Sequence, residues 1–153
     1  MGEKPLLNHK RLLIVDDEQD ILDTLEELLP MCWVIKASTF DEAKELLETQ
    51  YFDMAVLDIM GVNGYELLEI AKQYKVIPVM LTAHALSPES LVKSYNEGAA
   101  FYVPKDEIEN IATFLNDILE SIEQGKSTWS RWLVRVGGKL AKRFGADGNK
   151  KNP

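Results

Sequence analysis

Short apolar runs alternate with longer amphipathic stretches five times along the chain. The runs hold four or five mostly apolar residues and cover residues 11–15, 33–37, 54–57, 78–81 and 100–103. Runs of this length with little internal charge are typical of β-strands that are covered on both faces. The pattern therefore predicts five short, buried strands.

The stretches between these runs repeat their apolar residues at the spacing of an α-helix. In the first stretch these residues are Ile21, Leu22, Leu25, Leu28 and Leu29. Thr39 followed by Glu42 is a capping-box pattern that predicts the start of the second helix. Ser87 and Pro88 predict a further helix start, and Gly98 predicts its end.

A last helical pattern covers residues 107–124. Five strand–helix units in regular alternation predict an α/β fold with a doubly wound parallel sheet and helices on both faces. In such sheets, ligands bind where loops leave the carboxyl ends of the strands. Candidate chemistry is therefore expected at those ends.

Charge divides the chain into two unequal parts. Residues 1–125 hold 9 Lys/Arg and 24 Asp/Glu (net −15), whereas residues 126–153 hold 8 Lys/Arg and a single acidic residue (net +7). An acidic body argues against direct nucleic-acid binding by that part.

No apolar run approaches the ~20 residues that span a bilayer. The single cysteine, Cys32, is interpreted as a buried structural thiol in a reducing compartment, so a cytoplasmic location is expected.

Polar residues follow four of the five predicted strands: Asp16 and Asp17, then Asp58, Thr82 and Lys105. Three carboxylates gathered at one sheet edge repel each other unless a hard cation such as Mg²⁺ neutralises them. A carboxylate in that setting can attack a phosphoryl group, while the cation and a lysine offset the charge on its oxygens. Each residue alone also fits a turn, a helix cap or a solvated surface charge. Only their joint placement favours a site.

Four segments carry a resemblance to a known family: LLIVDDE at residues 12–18, AVLDIM at 55–60, PVMLTA at 78–83 and GAAFYVPK at 98–105. Together they closely resemble the receiver domains of bacterial two-component signalling systems, chemotaxis receivers included, over roughly residues 9–125. The resemblance implies a flavodoxin-like five-stranded sheet of order 2-1-3-4-5. It also implies a signalling switch with intrinsic phosphorylation and dephosphorylation chemistry rather than an enzyme.

The resemblance implies a role for each residue of the site. Asp58 would accept a phosphoryl group from a sensor histidine kinase or a phosphotransfer protein. Asp17, Asp58 and the backbone carbonyl of Met60 would bind Mg²⁺ directly, and Asp16 would act through water. Lys105 would pair with the phosphoryl group.

The resemblance also implies a conformational response. Thr82 would bond a phosphate oxygen once Asp58 is modified, and Tyr102 would reorient, because a hydroxyl drawn inward leaves space for a ring. Met60 and His84, two residues beyond Asp58 and Thr82, would tune hydrolysis. An exposed loop histidine without a role is an equally good interpretation of His84.

The sequence departs from the family at two points. The loop after the phosphoacceptor, DIMGVNG at residues 58–64, is two residues short and lacks a proline. Lys105 precedes Asp106 where the family usually has proline, and a trans bond is expected there because cis would cost about 3–4 kcal/mol. Neither change removes a catalytic group, so an active receiver is predicted.

Two other functions fit the sequence less well than a receiver. A Mg²⁺-dependent phosphohydrolase of the haloacid-dehalogenase type would place its acids as Asp-x-Asp, whereas Asp16 and Asp17 are adjacent. A flavodoxin-like cofactor binder would need a phosphate cradle after the first strand, where this chain has DDEQD. Both fit the residues poorly.

Residues 126–153 form a separate basic tail, distinct from the predicted receiver domain at residues 9–125. One side of a helical wheel carries Trp129, Trp132, Leu133, Val136, Leu140 and Phe144. This pattern predicts an amphipathic C-terminal helix. Docking on its own receiver or on that of a homodimer partner is the favoured hypothesis, ahead of an anionic membrane, a separate partner, a nucleic-acid segment or a disordered remnant. A tail of this length is too short for a DNA-binding output domain, so none is predicted and the downstream protein stays unassigned.

Overall fold

The computed structural model describes residues 6–83 and 87–136. Five strands and five helices alternate as β1 Arg11–Val15, α1 Gln19–Leu28, β2 Trp33–Ala37, α2 Phe40–Thr49, β3 Met54–Asp58, α3 Gly64–Gln73, β4 Ile77–Thr82, α4 Pro88–Glu97, β5 Phe101–Pro104 and α5 Ile111–Glu123. Residues 128–136 form a further helix, α6. Within the described residues, no helix has the length and apolarity to cross a bilayer.

All strand pairs are parallel, and the sheet order is β2-β1-β3-β4-β5. The predicted doubly wound sheet and its order are therefore confirmed. All five residues of β3 are buried, because helices cover both faces of the central strand. The strand runs to Asp58, one residue further than its apolar run, so Asp58 belongs to the rigid sheet rather than to a loop.

The predicted helix caps are present. The Thr39 hydroxyl accepts a 3.2 Å hydrogen bond from the Glu42 amide, and the Glu42 carboxylate accepts one from the amide of Ser38. Ser87 caps α4 by accepting from the Ser90 amide. Gly98 ends α4 in the left-handed conformation, with φ of +100°. Local sequence signals thus define these helix ends.

The prediction for the last receiver helix was wrong at its start. Residues Lys105–Asn110 form a 3₁₀ helix, and α5 begins only at Ile111. The segment KDEIEN has Ile108 as its single apolar residue, so it lacks an apolar stripe that could hold an α-helix against the sheet. In the described residues no peptide bond is cis, so the bond between Lys105 and Asp106 is trans as expected.

The amphipathic helix predicted in the tail is present over residues 128–136, and the remainder of the tail lies outside the described residues. Trp132 and Val136 are buried in the common core. Leu133 was assigned to the same side but is 58% exposed. It follows Trp132 directly, so it is rotated about 100° around the helix and away from the receiver.

Candidate functional site

Three carboxylates meet at the carboxyl ends of β1 and β3. Each of Asp16, Asp17 and Asp58 has an oxygen within 4.8 Å of the others. Asp16 is fully buried and Asp58 is 4% exposed, whereas Asp17 faces solvent. The cluster forms because β1 and β3 are adjacent parallel strands, so their carboxyl ends share one edge. The sequence-based prediction that these residues converge is confirmed.

Lys105 brings a positive charge to this cluster from the end of β5. Its ammonium lies 2.8 Å from Asp16 Oδ2 and 3.5 Å from Asp58 Oδ1. The contact with Asp16 is an ion pair rather than a directed hydrogen bond. Glu18, to which the sequence analysis gave no role, approaches the same ammonium at 3.3 Å. The Lys105 side chain is only 11% exposed, so these interactions are poorly screened by solvent.

Burial and mutual repulsion perturb the ionisation of this cluster. Loss of hydration raises the pKa of Asp16, and the Lys105 ammonium only partly opposes that shift. Loss of hydration also raises the pKa of Asp58, and the negative charge of Asp16 raises it further. Burial alone would lower the pKa of Lys105, but Asp16, Asp58 and Glu18 outweigh it and raise that pKa. Burial therefore favours the protonated forms of Asp16 and Asp58 despite the nearby ammonium.

The short loop after Asp58 packs directly on the carboxylates. The Gly61 amide donates a 3.1 Å hydrogen bond to Asp58 Oδ2, and a Cβ at Gly61 would clash with the carboxylates of Asp17 and Asp58. In a trans peptide the N–H and C=O point in opposite directions. The Met60 carbonyl therefore points away from Asp58 Oδ2, and the Met60 side chain is 80% exposed. Gly61 was not singled out from sequence, although a glycine in so short a loop is a signal of close approach.

The predicted switch residues, Thr82 and Tyr102, lie on β4 and β5 near the cluster. Thr82 is the last residue of β4 and is 6% exposed. The residue before it, Leu81, pairs with Asp58 across the sheet. Tyr102 is fully buried in β5. Burial raises the pKa of Tyr102, and the hydroxyls of Thr82 and Ser90 lie near enough to oppose that shift. The Tyr102 hydroxyl makes no well-formed hydrogen bond with the described residues.

His84, predicted to tune hydrolysis, lies outside the described residues. The other predicted site residues are all described, and the structure brings together Asp16, Asp17, Asp58, Thr82 and Lys105 around one sheet edge.

Helix α6 packs on the receiver of its own chain. The indole of Trp132 donates a 2.7 Å hydrogen bond to the Tyr102 carbonyl, and that of Trp129 donates a 2.8 Å bond to the Ala99 carbonyl. Trp129 also lies edge-on against Tyr95 of α4, with ring centroids 5.5 Å apart. The described part of the tail therefore agrees with the favoured hypothesis, docking on its own receiver.

Opposite charge supplements these contacts. Arg135 donates to both oxygens of Asp117 in α5, at 2.8 and 3.0 Å, and Arg131 contacts Asp117 and Glu120. Asp117 is only 2% exposed. Acidic residues of the body thus neutralise part of the basic tail, and α6 covers the face formed by α4, β5 and α5.

The family model of the response regulator receiver domain matches residues 12–116 of this chain. The chain belongs to the response regulator receiver family. Receivers of this family act as signalling switches, typically bind Mg²⁺ in an acidic pocket, and interact with histidine kinases or phosphotransfer proteins.

Individual relatives agree with this assignment. The chain is 34% identical over 113 residues to "two-component response regulator ARR12" of Arabidopsis thaliana, covering 66% of this chain and 19% of the relative. It is 37% identical over 99 residues to "heme response regulator HssR" of Staphylococcus saprophyticus, covering 61% and 43%. The chain thus spans about a fifth of the length of the Arabidopsis relatives that it matches.

Solved structures show the same fold. A CheY-like receiver domain protein from Methanospirillum hungatei has 33% sequence identity and a TM-score of 0.61, covering 74% of this chain and 99% of the other. The response regulator DrrB of Thermotoga maritima has 27% identity and a TM-score of 0.64, covering 78% and 55%.

Proposed function

We propose that this receiver accepts a phosphoryl group on Asp58 from a histidine kinase or a phosphotransfer protein, with Mg²⁺, and signals by changing its protein contacts. The observation that carries the proposal is the set of three carboxylates within 4.8 Å, with the Lys105 ammonium 3.5 Å from Asp58 Oδ1. A buried carboxylate beside a lysine and two further acids is suited to in-line attack on phosphorus.

In the proposed transfer, a carboxylate oxygen of Asp58 attacks the phosphorus of a phosphohistidine. A P–O bond forms as the P–N bond breaks, and the electron pair returns to the imidazole, which leaves. Lys105 offsets charge on the phosphoryl oxygens, and its ion pair with Asp16 orients its ammonium. Hydrolysis reverses the modification when water attacks the phosphorus of the acyl phosphate, which regenerates the Asp58 carboxylate.

The residues present suit a hard cation. Asp17 and Asp58 offer carboxylate oxygens, Asp16 lies within 4.8 Å of both as a proposed ligand through water, and these three carboxyl groups share the single ammonium of Lys105. The Met60 carbonyl completes the proposed ligands, which requires the peptide between Met60 and Gly61 to rotate. When bound, Mg²⁺ supplies positive charge for the transferring phosphoryl oxygens.

The proposed response to phosphorylation runs through Thr82 and Tyr102. Thr82 bonds a phosphoryl oxygen, and Tyr102 occupies the space beside it. Met60 and His84 are proposed to tune the lifetime of the phosphorylated form. We assign the receiver to residues 9–125 and the tail to residues 126–153, in a cytoplasmic protein with a downstream protein partner.

Beryllofluoride with Mg²⁺ tests this function, because it mimics an aspartyl phosphate. We expect amide chemical shifts of β4, β5 and their loops to change on addition to the wild-type chain, and Asp58→Asn to abolish the response. Glu66→Gln, an exposed acid on α3, is the matched control and should respond like the wild type. An unresponsive wild-type chain would overturn the proposal.

A further inference from the structure

The two indoles of α6 bind the backbone on either side of Phe101 in β5. Trp132, which is 1% exposed, bonds the Tyr102 carbonyl, and Trp129 bonds the Ala99 carbonyl. Tyr102 belongs to β5, which is the edge strand of the sheet, and Ala99 lies two residues before that strand begins. These two hydrogen bonds therefore attach α6 to the backbone of β5 at Tyr102 and to the backbone just before β5 at Ala99.

Trp129 and the Tyr102 ring lie on the same side of the sheet. Phe101 packs on Phe114 of α5, with centroids 5.8 Å apart, and side chains alternate along a strand. Tyr102 therefore faces the opposite layer, towards α4. Trp129 contacts Tyr95 of α4 on that side. Its indole thus bridges α4 and the backbone just before β5, on the side of the sheet that the Tyr102 ring occupies.

The described part of helix α6, residues 128–136, is short. Its nine described residues are fewer than an isolated helix needs to be stable in water, so its helicity depends on docking. The contacts that hold it are the two indole hydrogen bonds, the buried Val136 side chain and the arginine pairs with Asp117. A conformational change in β5 can therefore shift the equilibrium between docked and undocked α6.

We propose that Trp129 and Trp132 are positioning residues of the phosphorylation switch, and that docked α6 holds Tyr102 inside and so favours the phosphorylated form of Asp58. This inference rests on the proposed function, since it assigns a regulator to the same site. Coupling between two events is reciprocal. Phosphorylation therefore strengthens the docking of α6 by the same factor by which docking favours phosphorylation.

The test compares the apparent affinity of full-length variants for beryllofluoride in the presence of Mg²⁺. Trp129→Ala removes the indole that bridges α4 and the start of β5, and should weaken binding about five- to tenfold, a coupling of ordinary size. Val134→Ala alters the same helix at a side chain that is 81% exposed, and should leave the affinity unchanged. Trp132→Phe keeps an aromatic ring but removes the hydrogen bond to Tyr102, and should give an intermediate loss.

Hydrogen exchange supplies a second readout that loss of general stability would not mimic. Amides of residues 128–136 should exchange more slowly when beryllofluoride and Mg²⁺ are added to the wild-type chain, while those of α2 should not change. If Trp129→Ala does not fold, the double variant Arg131→Ala with Arg135→Ala loosens α6 from outside the core and takes its place. The same loss of affinity is expected.

The outcomes separate the two proposals. If the wild-type chain fails to bind beryllofluoride, the proposed function is wrong and this inference falls with it. If the wild-type chain binds but the variants bind equally well or more tightly, Asp58 remains the acceptor and only the role of α6 is overturned.

Discussion

The Tyr102 carbonyl accepts a 2.7 Å hydrogen bond from the indole of Trp132, across the interface between β5 and α6. Three residues further along the chain, Lys105 pairs with Asp16 and Asp58. The same short segment therefore contacts the acidic cluster at one end and the tail helix at the other. A displacement of this segment changes both.

The tryptophans differ in accessibility in a way that fluorescence can measure. Trp33 in β2 is 61% exposed, whereas Trp132 is 1% exposed. Trp33→Phe should therefore remove most of the emission that acrylamide quenches readily, and Trp132→Phe should leave that fraction in place. If Trp132→Phe removes the quenchable emission instead, α6 is not docked in solution.

Asp58→Asn should stabilise the metal-free protein at neutral pH. Burial and Asp16 raise the pKa of Asp58, so ionisation costs more in the folded than in the unfolded chain. The stabilising contribution of protonated Asp58 is present below its ordinary pKa of 3.8 and is lost as the pH rises through the raised value. We expect the variant to gain about 1 kcal/mol, a rise in Tm of roughly 3–5 °C.

Thermal unfolding at several pH values checks this sign. The gain of Asp58→Asn should vanish below the ordinary carboxylate pKa, where Asp58 is protonated in both states. Asp23→Asn serves as the control, because hydrogen bonds from Gln19 and Lys36 lower the pKa of this exposed acid, and its removal should not stabilise. A destabilised Asp58→Asn at neutral pH would contradict the prediction.

Gly61→Ala should impair metal binding more than folding. The added methyl would meet the carboxylates of Asp17 and Asp58, which are the proposed ligands. We expect Mg²⁺ affinity to fall at least about tenfold, or roughly 1.4 kcal/mol, while far-UV circular dichroism stays unchanged. Val92→Ala, at a side chain on α4 that is 56% exposed, should bind Mg²⁺ normally. Equal Mg²⁺ affinities in both variants would show that the loop after Asp58 can move to accommodate the added methyl group.

The pair of Asp117 and Arg135 should show measurable coupling in a double-mutant cycle. Asp117 is buried and accepts two hydrogen bonds from Arg135, but the Arg135 side chain is 42% exposed, so solvent screens the pair. We expect a coupling energy of about 0.5–1 kcal/mol in urea unfolding. The exposed pair of Asp23 and Lys36 should give a smaller value. A coupling energy of zero between Asp117 and Arg135 would contradict the docked arrangement of this part of α6.

Cys32 should react slowly with thiol reagents in the folded protein. Burial, supplemented by the charge of Asp53, raises the pKa of this thiol to about 11, and its Sγ lies 3.4 Å from the Leu7 carbonyl. Because only the thiolate attacks, labelling at pH 7.5 should be about a hundredfold slower than in urea. Rapid labelling of the native protein would refute this prediction.

Much of the fold and the site followed from the sequence because the signals are local. Apolar runs define the strands, and the polar residues at their ends reach one edge wherever strands are parallel and adjacent. Thr39 and Ser87 cap helices through bonds three residues away, which a sequence pattern can reveal. The family resemblance supplied the strand order, which local patterns do not determine.

Other features depend on tertiary contacts. Contacts with β5 and α5 decide which face of α6 is buried. The helical wheel alone therefore predicted the burial of Trp132 correctly and that of Leu133 wrongly. Asp117 could not be identified as the partner of Arg135 before α5 and α6 were known to be neighbours. The close approach of Gly61 to Asp17 likewise requires the loop and β1 to be placed together.

The turn between α5 and α6 has a consequence for competition. Only residues 124–127 connect the two helices, and Gly125 adopts the left-handed conformation there, with φ of +70°. A tether this short holds α6 beside its binding face at an effective concentration on the order of millimolar. Any other protein that binds the face formed by α4, β5 and α5 must compete with this internal ligand. A partner of low affinity therefore binds that face only when α6 is undocked.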